Sequence, residues 1–261
     1  MTALRVALVG GMISFRGLFS WLHPAIFVPT LIVPPLFQVL FFAYLGRAAE
    51  LESDTFYVVG NAIQLASLPG LFAIGQAING ERRSGMLAPL LASPASRVAI
   101  FLGRSLPVMA IGLVVSLTSF AVGALMLDVE VSGGALPALV LTMVVAAFSC
   151  TALGIAHAAV SFRARQTVVF TNFVFAVLLV FTGVNIPLDE LPGWMSTIAQ
   201  GLPVTHAVEA AREVVAGGSL GSVAGLLATE LAIGAAYLVV GLALLRWLEL
   251  DARRRATLEL A

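Results

Sequence analysis

The sequence predicts an all-α polytopic membrane protein, on the evidence of its composition, its long apolar runs and the placement of its charges. Of the 261 residues, 60% are hydrophobic and 11% are charged, whereas a soluble domain carries about 25% charged residues. That leaves too little polar surface to cover a water-soluble globule. The formal net charge is zero, so nothing in the composition indicates a nucleic-acid partner.

Six apolar runs have about the length that an α-helix needs to cross a bilayer, roughly 20 residues. The runs are continuous rather than alternating, so the pattern favours helices over the strands of a membrane barrel. Together they predict one transmembrane domain over 1–261. The predicted spans are 25–45, 56–78, 100–127, 135–162, 167–184 and 223–247.

The arginines orient these spans. The chain has no lysine, and twelve of its fourteen arginines fall in the predicted loops and ends on one side, against two, Arg47 and Arg212, on the other. Cytoplasmic loops are enriched in basic residues, so both termini are predicted to be cytoplasmic. High alanine, glycine and valine usage with all-arginine basicity is typical of a GC-rich bacterial genome.

Two segments are predicted to lie at the membrane without crossing it. Residues 1–23 carry large apolar side chains on one stripe of a helical wheel, which predicts an interfacial helix; an irregular start to the first span is the alternative. Residues 186–220 contain three prolines and a glycine pair, which predict short re-entrant helices in the outer leaflet before the last span. One of them should start with Pro203 in its first turn, run through about Val215 and end at Gly217.

A charged stretch follows the second span. It predicts a cytoplasmic helix over 79–98 that has charges near its start and a leucine ridge behind them, a pattern that suits docking onto another protein. An ordinary positive-inside loop is the alternative. The residues expected to make the contact are Glu81, Arg82, Arg83, Ser84, Gly85, Leu87, Leu90, Leu91 and Arg97.

Polar groups inside the predicted spans are candidates for a substrate path or gate, because they are costly in hydrocarbon. Glu230 would contact a cationic substrate, serve a proton-linked switch or anchor helix packing, and anchoring is the favoured interpretation. Glu209 and Arg212 stand three residues apart on one helix, which predicts an ion pair, with an outer gate as the functional alternative. The intramembrane amides, which predict interhelical hydrogen bonds, are Gln38, Asn61, Gln64, Gln76 and Asn172; all but Gln76 are also candidates for the substrate path.

Neither catalysis nor ATP binding is predicted for the chain itself. A phosphate-binding loop of the form G-x-x-x-x-G-K-[ST] needs a lysine, and the chain has none. Any ATP-driven activity would therefore use the ATPase site of another subunit. No cysteine, histidine and carboxylate spacing indicates a metal site, and no catalytic set is visible.

Three blocks of the sequence resemble the ABC-2 type exporter permeases. Residues 81–97, ERRSGMLAPLLASPASR, are similar to the pattern E-R-x-x-G-T-L-x-x-L-L-x-[ST]-P-x-x-R. Residues 182–194 resemble S-G-x-x-x-P-x-x-x-L-P-x-W, and residues 202–212 resemble L-P-x-T-x-x-x-[ED]-x-x-R. Met86 and Pro89 depart from the first pattern, and the proline predicts a shorter or kinked helix. The resemblance is strongest to the daunorubicin and antibiotic-resistance exporters.

The resemblance implies the transmembrane subunit of an ATP-driven exporter in the bacterial inner membrane. It would pair with a second permease, identical or related, and with two copies of a cytoplasmic ABC ATP-binding subunit that bind ATP and Mg. The helix over 79–98 would be the coupling helix. Few charges in the spans indicate a hydrophobic or amphipathic cargo such as a drug, an antibiotic or a lipid-like compound. The alternatives are export of a polysaccharide or lipid-linked glycan, and an ATP-independent channel or scramblase.

Overall fold

The structure, a computed structural model, describes residues 28–73, 97–161 and 167–255. The predicted interfacial helix over 1–23 and the predicted coupling helix, apart from its last residues, lie outside the described residues. Every regular element in the described ranges is a helix, which confirms the all-α fold class. After a short π-helix, Val28–Ile32, the elements are α1 Val33–Ala49, α2 Asp54–Ala73, α3 Arg97–Met126, α4 Leu136–Ser161, α5 Thr167–Phe181, α6 Gly193–Ala199, α7 Thr205–Val215 and α8 Leu220–Arg255.

Four of these helices are long and apolar enough to cross a membrane. They contain the stretches Asp54–Ala73, Leu102–Met126, Leu136–Val160 and Leu220–Leu248. The described parts of α1 and α5 are apolar but shorter, with 17 and 15 residues. At 1.5 Å per residue α5 is about 22 Å long, less than the roughly 30 Å of a bilayer core. The structure thus supports four of the six predicted spans by length and composition.

Helix α2 consists of two parts. Regular helix runs over Asp54–Leu65, a turn follows at Ala66, and helix resumes as far as Ala73. Pro69 accounts for the turn, because it has no N–H to donate and its ring opposes the carbonyl of the residue four positions earlier, Leu65. The predicted span 56–78 is therefore interrupted in its middle.

The most extensive helix–helix interface in the described residues is the one between α4 and α8. The buried residues of α8 recur every three, four or seven positions, so they form one stripe along the helix: Val223, Leu227, Glu230, Gly234, Gly241 and Leu248. A Cβ added at Gly241 would lie 2.8 Å from the backbone nitrogen of Ala156, and one added at Gly234 would lie 2.9 Å from Cα of Ser149. The two backbones therefore touch where α8 has no side chain, as in the small-residue interfaces of membrane helices.

Replacing Gly241 with leucine is expected to destabilise the protein by about 2 kcal/mol, since the new side chain would meet backbone rather than a movable side chain. Gly225→Leu is the matched control, because a Cβ at Gly225 meets nothing within 4 Å. Thermal unfolding in detergent should show a lower midpoint for the first variant alone. Equal midpoints for the two variants would mean that α4 and α8 do not pack this closely.

A connecting segment, residues 182–219, joins α5 to α8 and contains α6 and α7. Its main helix ends where the sequence predicts, at Val215, and Gly217 follows with φ of +100°. The Gly218 N–H donates to the Glu213 carbonyl at 2.9 Å, which closes the helix end. The predicted start was wrong: Pro203 precedes the helix, which begins at Thr205 after a residue with φ of +87°. The buried Glu230 side chain of α8 accepts hydrogen bonds from backbone N–H groups at this helix start.

Candidate functional site

Three of the described candidates, Glu230, Arg212 and Asn61, gather where the connecting segment packs onto α2, α4 and α8. Two clusters of polar contacts hold the connecting segment against these helices. The first, the Glu230 cluster, consists of Glu230, Ser149 and the backbone at Val204 and Ala207. The second, the α2–α7 cluster, consists of Asn61, Asn185 and Arg212.

Glu230 caps α7 from a distant part of the chain. One carboxylate oxygen, Oε1, accepts hydrogen bonds from the Ser149 hydroxyl and, at 2.8 Å, from the Val204 N–H. The other, Oε2, accepts from the Ala207 N–H at 3.3 Å. Glu230 is fully buried, and α7 has no capping side chain at its own N-cap residue.

A carboxylate at this position is stabilised by free backbone N–H groups and by the positive end of the helix dipole. It therefore ties the start of α7 to α8 and, through Ser149, to α4. All three hydrogen bonds of the carboxylate are internal to the protein, which favours the anchoring interpretation of Glu230 over contact with a cationic substrate.

Arg212 joins α7 to two other elements through backbone carbonyls. Its guanidinium donates to the carbonyls of Gly183 and Val184 at 2.8 and 2.9 Å, and to that of Phe56, in the first turn of α2, at 3.2 Å. The guanidinium carbon also lies 3.4 Å from the centre of the Phe56 ring, which adds a cation–π contact. Burial lowers the pKa of Arg212 to about 9, which still leaves the group charged at neutral pH.

Asn61 makes the second link of the α2–α7 cluster, one turn further along α2. Its amide nitrogen donates to the side-chain oxygen of Asn185 at 2.8 Å. Its own side-chain oxygen accepts from Gln38 of α1 at 2.9 Å, and Gln38 also donates to Gln64 at 3.1 Å. The interhelical hydrogen bonds predicted for these three amides are therefore present, and they add α1 to the assembly.

Gly60 allows these elements to approach so closely. A Cβ at this position would lie 2.7 Å from the Val184 carbonyl oxygen and 2.7 Å from a terminal nitrogen of Arg212. Only a residue without a side chain leaves room for both. The start of the connecting segment therefore rests directly on the backbone of α2.

Two candidates stand apart from these clusters. Asn172 is exposed on α5, and Glu209 is exposed on α7. The expected ion pair between Glu209 and Arg212 is not formed between these two described residues, because the arginine turns inward to the three carbonyls. Among the residues predicted to contact a cytoplasmic partner, Arg97 is the first residue of α3, and Glu81, Arg82, Arg83, Ser84, Gly85, Leu87, Leu90 and Leu91 lie outside the described residues.

Sequence reasoning missed Ser149, Asn185 and Gly60 as members of the site. Asn185 lies inside the second block of resemblance, which is the signal that could have singled it out. Ser149 and Gly60 are ordinary small residues of membrane helices, and only their neighbours give them a role. Within the described ranges, no group of three histidine, cysteine, aspartate or glutamate side chains could hold a metal ion.

Comparison with known proteins agrees with this architecture. The family described as "ABC-2 type transporter" matches residues 12–215. A probable doxorubicin resistance ABC transporter permease protein, DrrC, of Mycobacterium tuberculosis is 31% identical over 78% of this chain and 75% of its own length. The daunorubicin resistance ABC transporter permease protein DrrB1 of Streptomyces coeruleorubidus is 24% identical over 78% of this chain and 73% of its own length. With most of its length matched, the chain belongs to the ABC-2 type transporter family.

Proposed function

We propose that this chain is the permease subunit of an ATP-driven exporter that moves a hydrophobic or amphipathic compound, such as a drug, an antibiotic or a lipid-like molecule, out of the cytoplasm or the inner leaflet. A separate cytoplasmic ABC ATP-binding subunit, present in two copies, binds ATP and Mg and drives the transport. The exporter lies in the inner membrane of a bacterial cell, with both termini of the permease in the cytoplasm.

The observation that carries the proposal is the family match over residues 12–215. It includes the charged segment 79–98 and the connecting segment up to the end of α7. Both relatives are named as resistance permeases, one for doxorubicin and one for daunorubicin, and both drugs are amphipathic compounds. An apolar bundle with few charges in its spans is compatible with such a cargo.

A second permease, identical or related, completes the path in this proposal. Asn172 supports this, because it is an exposed amide beside exposed Val169 and Phe173 on the apolar helix α5. A polar side chain at membrane depth usually faces protein or a water-filled cavity rather than lipid. A face of α5 turned toward the second permease would give Asn172 that environment.

The proposed cycle is a rigid-body alternation. ATP binding brings the two ATPase subunits together. The segment 79–98 of each permease lies in a groove of one ATPase subunit and transmits the movement to the helices. The permeases then rock, and the central path changes the side to which it opens. Binding energy is thus used to shift an equilibrium between two arrangements of packed helices.

Purification and reconstitution test this proposal. The tagged chain is isolated in mild detergent from its native host, proteins that accompany it in stoichiometric amounts are identified, and the complex is placed in liposomes. We expect a subunit with a Walker-type ATP site, ATPase activity, and ATP-dependent accumulation of doxorubicin inside vesicles that carry the ATPase outside. Replacing the Walker lysine of that subunit should abolish accumulation.

The other outcomes separate the alternatives. A complex that hydrolyses ATP but moves neither doxorubicin nor daunorubicin would exclude a cargo of that drug class and direct the search to glycans. A stable oligomer free of ATPase would contradict ATP-driven export and favour a channel or scramblase.

A further inference from the structure

The α2–α7 cluster joins α2 to the start of the connecting segment, which is remote from it in sequence. Arg212 of α7 holds two carbonyls at the start of the connecting segment and one at the start of α2. Asn61 and Asn185 join the same two elements one helical turn further on, across a separation of 124 residues. Two independent links one turn apart prevent both sliding and rotation of one element against the other.

Little relative movement of α2 and the connecting segment is possible at this contact, because their backbones touch. Gly60 leaves no side chain between α2 and the Val184 carbonyl, so the separation is determined by atoms that cannot change rotamer. Asn61 is fully buried; its amide nitrogen donates to Asn185 and to the Tyr57 carbonyl, and its side-chain oxygen accepts from Gln38. Satisfied buried amides of this kind rigidify the contact they form.

Helix α2 leads from this contact to the far side of the bundle. Phe56 and Ala73, the last described residue of α2, are seventeen steps apart, which at 1.5 Å per step is at most about 26 Å. The chain then enters 79–98, the segment proposed to contact the ATPase. Movement of that segment thus acts on one end of α2, while the connecting segment is held at the other.

We infer that Asn61, Asn185 and Arg212 form a coupling joint that makes the first half of α2 and the connecting segment move as one body, so that ATP-driven movement at 79–98 reaches the opposite end of the permease. The inference rests on the proposed function. These three residues act as positioning residues, and none of them needs to touch the cargo.

The break at Ala66 is the strongest competing possibility. Because it lies between the joint and Ala73, bending there could absorb the movement before it reaches the connecting segment. The joint and the break predict different behaviour at residues 182–219 when nucleotide binds. That difference is measurable without knowing the cargo.

Hydrogen–deuterium exchange on the reconstituted complex tests the joint. Exchange in segments 79–98 and 182–219 is compared with ADP and with ATP plus vanadate, which traps the closed ATPase. The wild-type complex should show a nucleotide-dependent difference in both segments. Asn185→Ala and Arg212→Lys should keep the difference at 79–98 and lose it at 182–219, because lysine lacks the planar fork that reaches several carbonyls.

The comparison of nucleotide states separates coupling from simple loosening. A residue with a merely structural role would raise exchange at 182–219 equally in both states and leave the difference intact. Thr197→Ala is the matched control for the asparagine, since its exposed hydroxyl bonds only within α6. Arg47→Lys is the control for the arginine, since Arg47 pairs with Asp54 in an exposed contact. Both controls should behave like wild type, and Arg212→Lys keeps the test available if Asn185→Ala does not fold.

The remaining outcomes separate failure of the joint from failure of the proposed function. A preserved difference at 182–219 in both variants would overturn the joint and leave the proposed function standing. A wild-type difference at 79–98 without one at 182–219 would also overturn it, in favour of bending at Ala66. A wild-type complex without ATPase activity, or without any difference at 79–98, would overturn the proposed function and the joint with it.

Discussion

Replacing Glu230 with leucine is expected to lower the free energy of unfolding by about 3 kcal/mol. Leucine has about the same side-chain volume as glutamate but leaves the Val204 and Ala207 N–H groups buried without an acceptor. An unsatisfied buried donor costs roughly 1–3 kcal/mol. The Ser149 hydroxyl loses less, because the Ala146 carbonyl lies 3.1 Å away as a second acceptor.

Glu230→Gln is expected to cost less, about 2 kcal/mol. Its amide oxygen can still accept from Ser149 and Val204, but its amide nitrogen faces the Ala207 N–H, which loses its acceptor. Unfolding of the detergent-solubilised chain, measured by heat and by denaturant, should rank wild type above the glutamine variant and that above the leucine variant.

Glu213→Leu provides the matched control for this series, because Glu213 is an exposed carboxylate on α7, the helix that Glu230 caps. It should unfold within about 0.5 kcal/mol of wild type. If the leucine variant at 230 proved as stable as this control, the cap on α7 would be absent and Glu230 would need another explanation.

Reversing the charges of Arg82 and Arg83 to glutamate should reduce ATP-dependent export at least about tenfold, because like charges placed together at an interface cost several kcal/mol and 1.4 kcal/mol already weakens binding tenfold. The change lies at the start of the predicted helix over 79–98, where the proposed contact with the ATPase is made. The purified variant should lose the ATPase subunit yet unfold at the wild-type temperature.

The same two-charge reversal at Arg253 and Arg254 is the control. It changes the net charge and the positive-inside balance by the same amount, but at the C-terminal end of α8, where the simplest role of arginine is contact with anionic lipid. The control complex should keep its ATPase. Wild-type export in the Arg82 and Arg83 variant, with the ATPase still bound, would count strongly against 79–98 as the coupling segment.

The sequence predicted much of the fold because the relevant signals are local. Continuous apolar runs predicted the helices α2, α3, α4 and α8, and the pair Gly217-Gly218 predicted the end of α7. The length of α5 was overestimated, since an apolar run can continue beyond its helix: the run 167–184 extends past Phe181, where the chain turns and Gly183 has φ of +75°. Pro69 interrupts α2 although its neighbours are apolar.

The candidate site could be predicted only as a set of residue types. Amides and a carboxylate in apolar spans must find partners, and that much follows from the cost of burying them. Their partners depend on which helices pack together. Arg212 shows the difference, because its position three residues after Glu209 indicates an ion pair, whereas the packed structure offers it the carbonyls of Gly183, Val184 and Phe56.

By itself, the sequence determined an all-helical membrane protein without a phosphate-binding lysine, in the pattern of the ABC-2 type transporter family, since these properties reside in composition, periodicity and short motifs. The tertiary structure alone decided that Glu230 caps a helix 26 residues upstream and that Asn61 meets Asn185 across 124 residues. The physical reason is close backbone packing. Gly60 and Gly234 let helices approach until buried polar groups reach each other, and no local pattern records which helix will come that near.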